Sequence, residues 1–146
     1  MIAIDANLLV YAHRRDAEWH EAAATTVRAL AERVEAWAIP WPCVDEFLAI
    51  VTHPGIFRPP STLAQAIDQV DAWMESPSLV LLTEAPTHWS TLRSQLQGGR
   101  ITGPRVHDAR VAALCLSHGV SELWSADRDF GRFSALNVRN PLLDRS

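Results

Sequence analysis

Apolar and polar positions along the chain predict strands and helices that alternate. The first apolar run, at residues 1–4, is short and contains β-branched isoleucines, which is typical of a strand buried on both faces of a parallel sheet. Further runs of strand length predict strands at 36–39, 78–83 and 122–125, with a short additional strand at 137–139. We expect Pro40 to stop the strand at 36–39, and the run at 78–83 is apolar enough to predict a buried strand. Because helical stretches separate these runs, right-handed crossovers and a mostly parallel sheet are expected.

The predicted helices follow from apolar positions at helical spacing and from their capping residues. A helix at 16–35 has Trp19, Val27 and Val34 among its apolar positions, and the helix at 105–118 is apolar nearly all round, which indicates a central location. The other predicted helices start near Asn7, at Pro42 as a first-turn proline, at a cap formed by Ser61 or Thr62, and at Pro86.

Composition indicates one ordinary globular domain spanning residues 1–146. A hydrophobic fraction of 48% with 21% charged residues is typical of a folded protein rather than a disordered one. No apolar run approaches the ~18 residues of a membrane span. The N-terminus has an acid at position 5 where a signal peptide would have a basic region. We therefore expect a cytoplasmic protein with no membrane segment.

The charge and the cysteines of the chain indicate how it could bind nucleic acid and in which redox compartment it works. The net charge is −4 and all 13 basic residues are arginines, so loose, charge-driven binding to nucleic acid is disfavoured and a local arginine rim around a defined site is the better expectation. Cys43 and Cys115 lie in apolar helical stretches without metal-ligand spacing. This pattern indicates buried thiols in a reducing compartment.

Acidic side chains occupy the positions where chemistry is expected. Asp5 directly follows the first strand, at the sheet edge where open α/β sheets bind ligands, and Asn7 adds an amide that could hold a cation or orient a water. The alternative is that Asp5 only caps the following helix. Asp127 and Asp129 follow the fourth strand in the same way, with a solvated turn as the alternative.

Two further acids lie inside predicted helices. Asp108 is too far into an apolar helix to be a cap, so it must be neutralised, paired or bound to a metal. An ion pair with Arg105, three residues earlier, is the alternative. Glu46 lies on the side of its helix that also carries Cys43, although this residue taken alone favours the alternative of an exposed helix glutamate.

Carboxylates gathered at one sheet edge would repel one another unless a divalent cation shared their charge. Ligands that are all oxygen favour Mg²⁺ or Mn²⁺ over zinc. A metal held in this way can activate a water and stabilise the oxygens of a phosphodiester undergoing hydrolysis.

Taken together, these residues resemble the PIN domain over essentially the whole chain, and the similarity is closest to VapC toxins of VapBC toxin-antitoxin systems. The segments that carry the resemblance are residues 2–7, Glu46, residues 106–109 with the helix end at Gly119, residues 125–130, the loop at 57–60 and residues 140–142. The resemblance implies a three-layer α/β/α fold with a central sheet of four or five strands. It also implies a Mg²⁺- or Mn²⁺-dependent endoribonuclease that forms a homodimer and is inhibited by a small antitoxin.

Carried over to this chain, the resemblance makes Asp5, Glu46, Asp108 and Asp127 an acidic quartet, with Asp129 as an additional acid. Asp5, Asp108 and Asp127 would bind the metal, while Glu46 and Asp129 would bind metal or orient water. Asn7 and Ser125 would support them, Ser125 replacing the threonine of many members. The candidate phosphate contacts are Arg14, Arg15, Arg105 and Arg128, for which a solvated surface is the alternative.

Two other functions stay open on the sequence alone. The same site could belong to an RNA-processing or DNA nuclease that is not a toxin, although such enzymes usually carry added domains. The acids could also form a non-catalytic module that binds a partner bearing arginine. A neighbouring reading frame for an antitoxin would distinguish the first alternative, and the absence of Mn²⁺ binding would favour the second.

Overall fold

The computed structural model describes residues 1–143 and contains a five-stranded sheet in which every strand pair is parallel. The strands are β1 (Ile2–Ile4), β2 (Trp37–Pro40), β3 (Leu79–Leu82), β4 (Glu122–Trp124) and β5 (Val138–Arg139). Their order across the sheet is β3-β2-β1-β4-β5. The predicted parallel sheet is confirmed, including its short fifth strand.

Six α-helices flank this sheet and complete the predicted three layers. They are α1 (Ala6–His13), α2 (His20–Glu32), α3 (Trp41–Val51), α4 (Leu63–Met74), α5 (His88–Gly99) and α6 (Val106–Ser117). None of the helices in the described part of the chain has the length and apolar character needed to cross a membrane.

The core lies around the three middle strands and α6. Residues 37–39 of β2 are at most 1% exposed, and α6 is buried from Ala109 through residues 111–115, as its apolar sequence predicted. The apolar sequence of strand β3 predicted a buried strand, and that expectation is wrong, since the strand is only partly buried. It forms one edge of the sheet, and its Val80 is 38% exposed because one neighbour is missing.

Helix α2 begins at His20 rather than at the predicted Asp16. The Arg14 side chain donates two hydrogen bonds to the Asp16 carboxylate, at 2.9 and 2.7 Å, and this pairing stabilises a turn before the helix. Trp19 becomes the residue that precedes the helix, and Val34 lies beyond its end, 96% exposed. Both had been assigned to the apolar face of the helix, and that assignment is wrong, since Trp19 is also 36% exposed.

Two prolines and a threonine lie at the ends of three elements, β2, α3 and α4. Strand β2 includes Pro40, which had been expected to stop it, because the register with β1 ends at Ala38 and the missing N–H removes no bond to that neighbour. Pro42 lies in the first turn of α3 as predicted. Thr62 is the cap of α4, its hydroxyl accepting from the N–H of Gln65 at 3.1 Å.

We expect Phe47→Ala to lower the free energy of unfolding by about 3 to 5 kcal/mol, because the ring is fully buried and its removal leaves a cavity. The Phe47 ring packs edge-on against Trp73, with centroids 4.8 Å apart. Urea denaturation measures the change. Trp89→Ala is the control, since Trp89 is 66% exposed and should change stability by less than about 0.5 kcal/mol. Equal losses in both variants would show that this core assignment is wrong.

Candidate active site

The candidate site lies where the order of the strands reverses. From β1 the chain builds the sheet first toward β2 and β3, then returns to add β4 and β5 on the other side. Asp5 follows β1, and Asp127 follows the adjacent β4. Ligands of open parallel sheets bind in the crevice at such a point, outside the carboxyl ends of the strands. The topology therefore brings these two acids to one edge.

Asp5 is held rigidly at the base of this crevice. Its side chain is 5% exposed, and the residue is the N-cap of α1. Oδ1 accepts hydrogen bonds from the N–H of Ala6 at 2.8 Å and from the Cys43 thiol at 3.5 Å. Oδ2 accepts from the Ser125 hydroxyl at 2.7 Å and the Asn7 amide at 3.2 Å. The cap interpretation and the site interpretation are thus both compatible with the geometry.

Asn7 and Ser125 connect helix α1 to the loop after β4. The Asn7 amide donates to the Ser125 hydroxyl oxygen at 3.0 Å, and its carbonyl oxygen accepts from the N–H of Ala126 at 3.1 Å. The Ser125 oxygen also accepts from the N–H of Asp127 at 3.0 Å. The structure therefore brings both predicted supporting residues into direct contact with Asp5, and through them fixes the backbone that carries Asp127.

Asp108 and Glu46 experience the repulsion that the sequence predicted. Partial burial, together with the negative charges of Asp127 and Asp5, raises the pKa of Asp108 to about 6. Within residues 1–143 no hydrogen bond reaches the Asp108 carboxylate. Glu46 is exposed, but neighbouring groups still remove part of its hydration. This loss of hydration, followed by repulsion from Asp5 and Asp108, raises the pKa of Glu46. The four acids of the predicted quartet therefore share one electrostatic environment.

Arg105 pairs with Asp129 rather than with Asp108, the partner that the sequence offered as an alternative. The guanidinium lies 2.6 Å from the Asp129 carboxylate, and this contact holds the pKa of Asp129 below its usual range. Arg105 and Asp129 line a cavity of about 470 Å³ together with Asp108, Pro104, Thr102 and Arg132. Arg132 is a cation that the sequence interpretation missed; its position three residues after Asp129 in a 3-10 turn is the available signal.

The other candidate phosphate contacts lie elsewhere. The Arg14 side chain is 12% exposed, pairs with Asp16 and stacks over the Phe57 ring at 4.4 Å. Arg14 and Arg15 line a larger groove of about 930 Å³ between the end of α1, α2 and α4, which includes none of the five acids. Arg128 is exposed at the start of the 3-10 turn. The smaller cavity, by contrast, is lined by two of the five acids, Asp108 and Asp129.

Both cysteines are buried with free thiols, as expected. The sequence did not predict that the Cys43 thiol would contact Asp5. Burial, followed by the charge of Asp5, raises the pKa of Cys43 well above its usual value, so the thiol stays protonated and can donate. The available signal was its spacing, because Cys43 precedes Glu46 by three residues and therefore lies on the same helix face.

The donor chemistry of this site fits a hard divalent cation. The acids are all carboxylates. Partial burial and then neighbouring negative charge disfavour the ionised forms of Asp108 and Glu46, and a cation would relieve the repulsion. Among the described residues no three His, Cys, Asp or Glu side chains converge closely enough to hold one ion. Ion binding would therefore require movement of the side chains that are not fixed, whereas Asp5 is already held.

Comparison with known proteins connects this geometry to a family. A family model described as PIN domain matches residues 2–136. Ribonuclease VapC43 of Mycobacterium tuberculosis is 33% identical over 142 residues, covering 97% of this chain and 96% of that protein. Ribonuclease VapC31 of the same organism is also 33% identical, over 147 residues that cover 97% of this chain and all of that protein.

Solved structures share the fold. The crystal structure of VapBC2 from Rickettsia felis, bound to a DNA fragment from its promoter, has a TM-score of 0.67 at 20% identity and covers 96% of this chain and 98% of that one. The structure of Mycobacterium tuberculosis VapC20, a sarcin-ricin loop cleaving toxin, has a TM-score of 0.66 at 14% identity, with coverages of 90% and 93%. The chain therefore belongs to the PIN domain family and, within it, to the VapC ribonucleases.

Proposed function

We propose that this protein is the toxin of a VapBC pair, an endoribonuclease that hydrolyses RNA phosphodiester bonds with the help of a divalent metal ion. One observation carries the proposal: Asp5 and Asp127 follow adjacent strands at the switch point of the sheet, and partial burial together with the charges of these two acids raises the pKa of Asp108 to about 6. The ribonuclease names of relatives at 33% identity support the reaction class.

The metal is the cofactor of this proposal. VapC nucleases of the PIN family generally use divalent metal ions. We propose Mg²⁺ or Mn²⁺ here, because the donors are carboxylate oxygens without histidine or thiolate. When bound, such an ion lowers the pKa of a coordinated water and stabilises charge on the phosphate oxygens.

The residues divide into three roles in this proposal. Asp5, Asp108 and Asp127 hold the metal, with Asp5 as the fixed point since four donors orient its carboxylate. Glu46 and Asp129 bind the metal or orient the attacking water. Asn7 and Ser125 keep Asp5 and the Asp127 backbone in register, as their hydrogen bonds support.

Arg105 is the arginine that we propose for contact with the RNA phosphate. It lines the cavity beside Asp108, and Arg132 lines the same cavity. Its ion pair with Asp129 is half-exposed, so a phosphate oxygen could replace the carboxylate as the acceptor. Arg14, Arg15 and Arg128 stay predictions with less support, Arg14 above all because its guanidinium already holds the turn before α2.

The partners follow from the proposed class. We propose a small cognate antitoxin that blocks the site, a homodimer of this chain, and a cytoplasmic location. Solved neighbours include a VapBC complex bound to promoter DNA, which supports a toxin-antitoxin assembly. Co-purification with the product of an adjacent short reading frame, which also suppresses cleavage, would distinguish a toxin from an RNA-processing or DNA nuclease that merely shares the site.

We expect Asp5→Asn and Asp108→Asn to reduce metal-dependent cleavage of RNA by at least about 100-fold, because each removes a charged ligand of the proposed metal. Cleavage of total cellular RNA by antitoxin-free protein, with Mn²⁺ or Mg²⁺ and with EDTA, measures the effect. Asp45→Asn is the matched control, since Asp45 is an exposed acid next to Glu46 on α3 and is not one of the proposed site residues. Unchanged cleavage in Asp5→Asn would show that the assigned site is wrong.

The pKa of Asp108 predicts a pH dependence of stability in metal-free protein. Because its folded-state pKa of about 6 lies above the ordinary 3.8, this carboxyl stabilises the fold at low pH, and the stabilisation is lost as the pH rises through about 6. In EDTA, Asp108→Asn should raise the melting temperature by about 2 to 4 °C at pH 8 and by less at pH 4. The same shift at both pH values would contradict the repulsion.

Arg105→Ala should raise the KM for RNA about tenfold while leaving the affinity for Mn²⁺ in the absence of RNA undiminished, because a hydrogen bond to a charged phosphate contributes about 1.5 kcal/mol. Steady-state cleavage of a defined RNA and calorimetric titration of Mn²⁺ provide the two values. Arg93→Ala on the exposed surface of α5 is the control. A loss confined to Mn²⁺ affinity would instead make Arg105 a partner of Asp129 only.

A further inference from the structure

The Cys43 side chain contacts Asp5 from helix α3, and unlike the other side-chain donors to Asp5 it is a buried thiol. It lies in the first turn of α3, is fully buried, and its Sγ is 3.5 Å from Oδ1 of Asp5. The other three donors to Asp5 come from the start of α1 and the loop after β4. Cys43 therefore provides the only contact between the Asp5 carboxylate and α3 among the described hydrogen bonds.

Removal of this donor would leave Oδ1 with a single hydrogen bond, from the backbone N–H of Ala6. Cys43 is fully buried and Asp5 is only 5% exposed, so little water is available to replace the thiol. A carboxylate that loses a hydrogen-bond donor in such surroundings either rotates toward another donor or becomes less stable in its ionised form. The orientation of the Asp5 carboxylate plane should thus depend on the thiol.

The same helix carries Glu46 one turn further along. Residues three apart share a helix face, and the charge of Asp5 acts directly on the Glu46 carboxyl. The contact between Cys43 and Asp5 therefore joins the helix that carries Glu46 to the acid at the end of β1.

We propose that Cys43 is a positioning residue of the metal site, whose thiol donates to Oδ1 of Asp5, orients that carboxylate and sets its distance to Glu46. The inference rests on the proposed function, since it concerns how the same acids are held for a divalent ion. It assigns Cys43 no contact with metal or substrate. Cys115, the other buried thiol, has no hydrogen bond to Asp5 and provides a matched comparison.

The first test is Mn²⁺ affinity, measured by calorimetric titration of full-length protein. Cys43→Val keeps a buried apolar side chain of similar size but removes the donor, and we expect about tenfold weaker Mn²⁺ binding, as for other residues that orient metal ligands. Cys43→Ser retains a donor and should recover affinity to within about threefold of wild type. Cys115→Val should bind as wild type does. Equal affinity in Cys43→Val and wild type would overturn the inference.

The second test needs neither metal nor activity. In a Cys115→Val background the infrared S–H stretching band reports Cys43 alone. We expect that band at low frequency, and we expect Asp5→Asn to move it to higher frequency, because a hydrogen bond to a neutral amide is weaker than one to a carboxylate. A band that Asp5→Asn leaves unchanged would overturn the contact even if Cys43→Val failed to fold.

The outcomes also distinguish this inference from the proposed function. If wild type binds Mn²⁺, Asp5→Asn does not, and Cys43→Val binds normally, the metal site stands and the role of Cys43 is wrong. If wild type and Asp5→Asn both fail to bind Mn²⁺, the proposed metal site is wrong, and the positioning role fails with it.

Discussion

The burial of one carboxylate, that of Asp5, is the constraint on which the rest of the site depends. A 5% exposed acid at the end of a buried strand is costly unless donors surround it, and four do. Those donors come from α1, α3 and the loop after β4, so the requirement to satisfy one side chain fixes the relative positions of three parts of the fold. Asp127 and Glu46 are then located by elements that Asp5 has already oriented.

The crevice combines this rigid acid with several adjustable ones. Asp108 and Glu46 retain solvent contact and carry raised pKa values, whereas Asp129 is neutralised by Arg105. The fold therefore stores unfavourable electrostatic energy at its functional edge while its core, apolar through the middle strands and α6, supplies the stability that tolerates it. An uneven distribution of this kind is common where binding of a cation is part of the function.

The sequence predicted the fold well because periodicity reports burial, and it failed where a single side-chain contact decided the outcome. The parallel sheet was predictable because strands and helices alternate along the chain, whereas the order of the strands was not predicted. The start of α2 was not, because the pairing of Arg14 with Asp16 forms a turn within a stretch that reads as helix. Exposure of Val80 followed from the position of β3 at the sheet edge, which composition does not reveal.

The acids of the site were predicted from their positions after strands and inside an apolar helix, but their pairings were not. Sequence spacing offered Arg105 to Asp108, whereas tertiary structure gives it to Asp129. Cys43 was interpreted only as an apolar residue, because its helical spacing relates it to Glu46 and does not indicate that its thiol contacts Asp5.

The concentration of negative charge in the crevice has a thermodynamic consequence for the order of binding. A phosphodiester is itself an anion, so the bare crevice repels it, and a bound cation turns that repulsion into attraction. On the proposed function the affinities for metal and RNA are therefore linked: whatever factor the ion adds to RNA affinity, RNA must return to the affinity for the ion. The same acids that crowd one another would make the metal-free protein a poor RNA binder, and RNA itself would act as a ligand that helps to retain the ion.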